Sequence, residues 1–236
     1  MSAIPPPDPS ILSAAARRRI GEARGFVVEG SVDTLVALDS LGLRPLGLVH
    51  GASSYEVTID LTGAGGGAEL AATSQALYTA RQFALARMLA EATQWRADGV
   101  IDVRIEDRRI GSGREIVEMV VTGTAVAADE SAAPGLHADG VPFTTAVPID
   151  GLAALLGRGL APLAVLVGTC AVRLDHREGW PSPGEVPTLT QAAFDGRELA
   201  LARIQADADR RGAAGLLGVR VERRSHAWED LSLIHI

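Results

Sequence analysis

Few residues in this chain have the types that soft-metal binding would require. Its 236 residues include one cysteine and five histidines. A soft-metal site needs Cys and His ligands that converge, and the candidate ligands are Cys170, His50, His137, His176 and His226. Cys170 and His176 are not at a usual ligand spacing, so we predict no metal cofactor within one chain and interpret Cys170 as a buried small side chain. A ring of subunits could still gather one ligand from each copy.

Patterns for catalysis and nucleotide binding are also weak. The sequence has no Gly-x-Ser-x-Gly nucleophile elbow. A glycine-rich stretch at 62–68 lacks the Gly-Lys-Ser/Thr ending with which a P-loop binds phosphate, and we interpret this stretch as a flexible turn. We therefore predict that the protein is not an enzyme and has no catalytic residues.

The polar residues that could form a ligand or partner surface occur in a recurring pair. Arg104 and Glu106 lie two residues apart, which places them on one face of a predicted strand. Arg220 and Glu222 repeat the pattern later in the chain. These four residues are the candidate ligand or interface residues. The alternative interpretation is a solvated or intersubunit salt-bridge face.

The pair recurs because two segments of the chain are similar to two others. Residues 35–51 match residues 152–168 at eight of seventeen positions, and residues 81–106 match residues 197–222 at twelve of twenty-six. The offset is 117 in the first comparison and 116 in the second, so corresponding positions can be named. Two pairs of arginines also recur, and we interpret them as a solvated helix face: Arg81 with Arg197, and Arg87 with Arg203.

The similarity predicts a tandem repeat of two α+β units. Each unit is expected to have a short helix, a strand, a long helix and a β-hairpin on a mostly antiparallel sheet. Adding 116 to Glu115, where the last strand of the first unit begins, gives position 231, so we expect the last strand of the second unit to be missing. The predicted parts of the chain are a Pro-rich segment with a short helix (1–25), the first unit (26–127), a linker (128–140), the second unit (141–230) and a string that resembles a translated sequencing adapter (231–236).

Capping residues and glycines mark the ends of these elements. Ser31 is the predicted N-cap of the first short helix. Gly51 and Gly168 interrupt the following strands at corresponding positions, which predicts a bulge or a close backbone approach. Gly99 and Gly215 are predicted to end the two long helices.

Three segments resemble the YbjQ family, which is labelled as a heavy-metal-binding domain. The first is the strand segment 47–55. The second is the connection between the long helix and the next strand, at 96–101 and again at 212–217. The third is the Gly-Thr-Ala-Val sequence at 123–126. The resemblance implies small α+β units that assemble into rings, usually pentamers, with no established enzyme activity.

Composition narrows the function further. Asp and Glu number 29 against 22 Lys and Arg, and the formal net charge of −7 argues against a nucleic-acid or anionic-membrane partner. The longest apolar stretch, 160–172, is too short to span a bilayer, so we expect a cytoplasmic protein. We predict a non-enzymatic homo-oligomer that acts as a binding or scaffold module. The alternative is metal or small-ligand binding at sites between subunits.

Overall fold

The computed structural model describes residues 8–22, 25–28, 30–57, 67–110, 116–136, 140–175, 185–228 and 231–235. The helices of these residues are α1 (Ala14–Glu22), α2 (Val32–Ser40), α3 (Ala71–Gln94), α4 (Ile149–Leu156) and α5 (Pro187–Arg210). Their strands are β1 (Leu43–Glu56), β2 (Gly99–Ile110), β3 (Ile116–Ala128), β4 (Phe143–Thr144), β5 (Ala171–Asp175), β6 (Arg224–Trp228) and β7 (Leu231–His235). The predicted α+β class is confirmed, and the division into two units stays a prediction.

The first sheet has the strand order β1-β3-β2-β4. β3 pairs antiparallel with both β1 and β2, and the short β4 pairs parallel with β2. The long helix α3 packs on one face of this sheet and shares a core with it, which includes Val49, Ala84, Met88, Met119 and Val121. Alternate residues of β3 point into this core, as the two-residue period of a strand requires.

Residues at both ends of the short helix α2 determine where it begins and ends. Ser31 is the N-cap and its side chain accepts a hydrogen bond from the Thr34 backbone N–H, while the Thr34 hydroxyl accepts one from the Ser31 N–H. Gly42 follows the helix with a φ of 69°, a conformation that glycine adopts without strain. The predicted cap is thus confirmed. α2 packs Leu38 into a second core cluster that also contains Leu136, from the predicted linker.

The predicted ends of the long helices are wrong by three residues. The left-handed residue that ends α3 is Arg96, with a φ of 55°, and the corresponding Gly212 after α5 has a φ of 66°. The last turn must cap its own carbonyl groups, so the left-handed residue has to follow it directly. Gly99 begins β2 instead and packs against the Phe143 ring, and Gly215 has no heavy atom within 4 Å of where its Cβ would lie.

The predicted strand that Gly168 interrupts is only partly formed. β5 covers its last part, and the preceding residues are not in a strand ladder. Two of these preceding residues form hydrogen bonds to Thr144. The Leu163 carbonyl accepts from the Thr144 N–H at 3.3 Å, and the Val165 N–H donates to the Thr144 hydroxyl at 2.7 Å. A strand requires a continuous ladder with a neighbour, and among the described residues this segment has none.

The last strand of the second half is present in shortened form. β7 lies between β5 and β6 and pairs antiparallel with both, which gives the order β5-β7-β6. The expectation that this strand is missing is therefore wrong for residues 231–235. β7 has 5 residues where β3 has 13. The preceding stretch contains Val219 and Val221, which are 50% and 51% exposed.

Gly51 in β1 and Gly168 just before β5 lie at corresponding close contacts with a long helix. A Cβ at Gly51 would overlap the Ala84 carbonyl oxygen, and a Cβ at Gly168 would overlap the Ala200 carbonyl oxygen. Ala84 and Ala200 correspond under the offset of 116. The predicted close backbone approach is therefore what these two glycines provide. Among the described residues, no helix is both long and apolar enough to cross a membrane.

We expect Gly51→Ala and Gly168→Ala each to lower the free energy of unfolding by about 1–3 kcal/mol, because the added methyl group must push the helix backbone away. Gly215→Ala is the matched control, since nothing lies near its Cβ position. Urea unfolding followed by circular dichroism measures the effect. Equal midpoints for the three variants and the parent chain would contradict the role of the close contact.

Candidate functional site

The two halves of the chain meet where residues 67–70 add to the open edge of β5. The Leu70 N–H donates to the Ala171 carbonyl at 2.8 Å, and the Gly67 N–H donates to the Arg173 carbonyl at 2.8 Å. The Arg173 N–H donates back to the Ala68 carbonyl at 3.0 Å. These bonds extend the second sheet by a short antiparallel segment. We call this contact, with the side chains around it, the junction.

Arg203 on α5 fixes the polar side of the junction. Its Nη1 donates to the Thr169 carbonyl at 2.5 Å, and its Nη2 lies 2.7 Å from a Glu69 carboxylate oxygen. Ser74, in the first turns of α3, accepts the Ala171 N–H at 2.9 Å. One guanidinium thus binds both the backbone just before β5 and the Glu69 carboxylate of the other half.

Tyr78 and Asp207 form a second polar contact, buried between α3 and α5. The Tyr78 hydroxyl donates to Asp207 Oδ2 at 3.1 Å, and Arg210 pairs with the other carboxylate oxygen. Tyr78 is 2% exposed and Asp207 is 6% exposed. Burial, and next the Asp207 carboxylate, raise the pKa of Tyr78 to about 12. The phenol therefore stays protonated and keeps donating its hydrogen bond at neutral pH.

Cys170 lies beside the junction and is fully buried, as predicted for a small apolar side chain. Burial, and next the Glu69 carboxylate, raise the pKa of the Cys170 thiol to about 11. The thiolate is the form that acts as a nucleophile or binds a metal. At neutral pH this residue is a thiol, so its environment does not favour either chemistry.

Glu91 on α3 corresponds to Asp207 and is buried in the same way. It is 1% exposed and accepts hydrogen bonds from Arg19 Nη2 at 2.5 Å and from the His50 N–H at 2.9 Å. Burial alone would raise the pKa of Glu91, but the bonds from His50 and Arg19 outweigh it and leave this pKa lowered. A separate contact of the His50 imidazole with the Glu91 carboxylate raises the pKa of His50. Arg19 thereby attaches α1 to α3 and also bonds the Leu48 carbonyl of β1.

The predicted ligand or interface residues lie apart from the junction. A bulge in β2 gives Asp102 a φ of 51°, and Arg104 pairs with Asp102 at 2.8 Å. Glu106 is exposed further along β2. Arg220 and Glu222 are also exposed, but they lie in a stretch without strand structure, so the structure does not place the two pairs alike.

The recurring arginines are better markers of the junction than the predicted residues. Arg81 is 9% exposed and Arg203 binds across the junction, so the predicted solvated face is wrong for both. Arg87 donates its Nη1 to the Ala52 carbonyl at 2.6 Å, as Arg203 does to Thr169. Sequence reasoning noted these arginines but missed the carboxylates and the tyrosine that face them. The signal that could have found them is the correspondence itself: Glu69 with Glu185, Tyr78 with Phe194, and Glu91 with Asp207.

Candidate metal ligands do not converge in the part of the chain that the structure describes, where no group of three His, Cys, Asp or Glu residues could hold a metal ion. His50 lies beside Glu91, with 3.4 Å between Nδ1 and the carboxylate. His226 lies on β6. His137 and His176 are outside the described residues.

A shallow open cleft lies at the start of α5. Glu185, Thr190, Phe194 and Arg197 line it, and the Arg197 guanidinium lies 5.0 Å from the centre of the Phe194 ring. Phe194 is 49% exposed, whereas the corresponding Tyr78 is buried by the second half of the chain. The face of α5 that corresponds to the junction side of α3 is therefore open.

Comparison with known proteins gives three similarities. The YbjQ_1 family, described as "Putative heavy-metal-binding", matches residues 49–129, which run from β1 to just past β3. The chain is 34% identical over 228 residues to the "Encapsulin nanocompartment protein Rv1762c" of Mycobacterium tuberculosis, an alignment that covers 93% of this chain and 86% of that protein. It is 43% identical over 60 residues to the "UPF0145 protein NP_2600A" of Natronomonas pharaonis, covering 25% of this chain and 56% of that protein.

We expect Tyr78→Phe to lower the free energy of unfolding by about 1–2 kcal/mol at pH 8, because a buried carboxylate loses a donor. The pKa of Tyr78 rises from 10.0 in the unfolded chain to about 12 in the folded one. This contribution is therefore complete below pH 10 and is lost as the pH rises toward 12. Urea unfolding at several pH values measures the difference between the two chains, which should narrow above pH 10. Tyr55→Phe is the control, and a difference independent of pH would contradict the assignment.

We expect Arg19→Ala to loosen α1, because its ion pair with the buried Glu91 and its bond to Leu48 are lost. Amide hydrogen exchange within residues 14–22 should become about tenfold faster, which corresponds to one charge-assisted hydrogen bond. Arg17→Ala removes the same charge from an exposed position of the same helix and serves as the control. Equal exchange rates in the two variants would show that Glu91 does not hold the helix.

Proposed function

The chain belongs to the family of the Mycobacterium tuberculosis encapsulin nanocompartment protein and contains a YbjQ domain, and from this premise we propose that it is a non-enzymatic, cytoplasmic oligomeric binding or scaffold module. Two tandem units, at 26–127 and 141–230, build the chain in this proposal. The copies form a homo-oligomer, and the family resemblance favours a ring.

The observation that carries this proposal is the junction. It joins two dissimilar faces, because residues 67–70 of one half add to the edge of β5 in the other half. A contact of this head-to-tail kind can be repeated between molecules, and it gives a closed ring when the rotation closes. The name of the mycobacterial relative refers to a compartment, which is an assembly, and this supports an assembled state here.

Exposed apolar side chains in the second half also support association. Phe194, Leu217, Val219 and Val221 are between 49% and 64% exposed. Their counterparts Tyr78, Ile101 and Val103, and the partly buried Ile105, are covered in the first half. Large apolar side chains that are exposed here while their counterparts are covered support an interaction surface in this half.

Metal binding between subunits is the alternative, and it is supported by the heavy-metal-binding label of the matched family. Intersubunit ligands would have to come from residues that lie apart within one chain. The His50 imidazole is about half exposed and lies beside a carboxylate. His50→Ala is therefore the variant that tests this alternative.

We expect the purified full-length chain to have a light-scattering mass that is a discrete multiple of its 24.5 kDa. The mass should be unchanged in chelator, and mass spectrometry should find no stoichiometric metal. A monomer at every accessible concentration would refute the oligomeric role. Assembly that is lost in chelator, together with metal that is lost in His50→Ala, would make the metal-binding alternative correct.

A further inference from the structure

The acceptor side of the junction has a counterpart in the first half. β5 and α5 present the Thr169 carbonyl, the Ala171 N–H and carbonyl, and the Arg203 guanidinium to residues 67–74. Under the offsets of the repeat, these positions correspond to Ala52, Ser54 and Arg87. The glycine contacts that set strand against helix correspond as well, so the same geometry is built twice.

This counterpart edge is open at Ser54. β1 is the outer strand of its sheet, with β3 on one side and, among the described strands, nothing on the other. Backbone groups of alternate residues point to the same side of a strand. The His50 N–H and the Ala52 carbonyl point away from β3, since Glu91 and Arg87 bind them. The Ser54 N–H and carbonyl therefore point the same way, and Ser54 is exposed.

Arg87 is placed to complete the contact. Arg203 uses Nη1 for the Thr169 carbonyl and Nη2 for Glu69. Arg87 makes the first of these bonds, to Ala52, and in the described part of the chain no carboxylate pairs with its second nitrogen. The position that corresponds to Glu69 is Glu185, which is exposed at the rim of the α5 cleft.

We propose that a second copy of this chain docks by repeating the junction: residues Glu185 and Val186 of one copy add to the β1 edge at Ser54 of the other, and Glu185 pairs with Arg87. This inference rests on the proposed oligomeric function and names its interface. The occupant is a second copy because the chain itself shows the contact formed between its own halves. Each copy carries one acceptor edge and one donor segment, so the contact is head to tail.

The differences between α3 and α5, the helices that follow the two added segments, fit this arrangement. Phe194 replaces Tyr78 and has no hydroxyl group to donate. Asp207 needs that hydroxyl, whereas Glu91 already accepts from Arg19 and His50 within its own chain. When the Phe194 ring of a second copy packs at this position, the buried Glu91 carboxylate still has its hydrogen-bond donors. Because α1 covers Glu91, the Phe194 ring packs beside α1. The added segment can then pair only with the end of β1 that contains Ser54.

The test is a charge exchange between two full-length variants, Glu185→Arg and Arg87→Glu. Each alone places like charges together, and we expect its dissociation constant to rise at least about tenfold, equal to about 1.4 kcal/mol. In an equimolar mixture every contact between unlike variants restores an opposite pair, so mixing should recover most of the association that either variant alone loses. Sedimentation velocity over a dilution series gives the constants. Glu130→Arg makes the same charge change on an exposed turn and is the control.

A second pair of variants tests the strand edge without using charge. Ser54→Pro removes the outward N–H but spares the ladder with β3, since that N–H does not point to β3. Ser54→Ala keeps the N–H and is the matched control. We expect association to be lost in the proline variant and retained in the alanine variant, with unchanged circular dichroism in both.

The outcomes separate this inference from the proposed function. If the parent chain is a monomer, the proposed function fails. If the parent chain associates, but neither Ser54→Pro nor the charge variants weaken it, the docking site is wrong and the oligomeric function stands. Charge variants that associate weakly and are not rescued by mixing would also overturn the pairing of Glu185 with Arg87.

Discussion

An edge strand leaves every second backbone N–H and C=O without a sheet partner, and the arrangement of this chain follows from how those groups are satisfied. At β5 the main chain of residues 67–70 supplies the partners and joins the two halves. At β1 side chains supply them instead: Arg19 binds the Leu48 carbonyl, Glu91 accepts the His50 N–H, and Arg87 binds the Ala52 carbonyl. The outward backbone groups are thus satisfied at β5 by a neighbouring chain segment and at β1 by side chains of α1 and α3.

The same helix position carries a buried carboxylate in both halves, and its donors decide which element packs there. Asp207 takes the Tyr78 hydroxyl, which brings α3 against α5. Glu91 takes Arg19, which brings α1 against α3. A buried carboxylate without donors would cost several kcal/mol, so each helix must recruit a partner that can donate. The N-terminal helix meets that need for Glu91, and α3 of the first half meets it for Asp207.

The sequence predicted those parts of the fold that depend on local pattern. Ser31 as a cap and Gly51 as a close contact are confirmed because a capping side chain and a missing Cβ act within a few ångströms. The residues at the junction escaped prediction, since no local pattern says which groups a folded chain brings together. Arg203 illustrates the difference: its recurrence was visible, but its partner Glu69 lies 134 positions away. Arg104 was predicted as an interface residue because its position recurs, but recurrence alone does not distinguish a binding residue from a solvated one.

The two ends of the β1 edge have different consequences for association. Side chains of the same molecule close the end at Leu48 and His50, whereas Ser54 keeps an exposed edge. A long open edge would pair with any extended chain and lead to uncontrolled aggregation. An edge that is closed at one end accepts a short segment, and in the part of the chain that the structure describes the segment that adds to β5 covers residues 67–70. The short length of the open part of β1 therefore makes association more selective than backbone hydrogen bonds alone would. Arg87, beside this open part, also requires the added segment to carry a carboxylate.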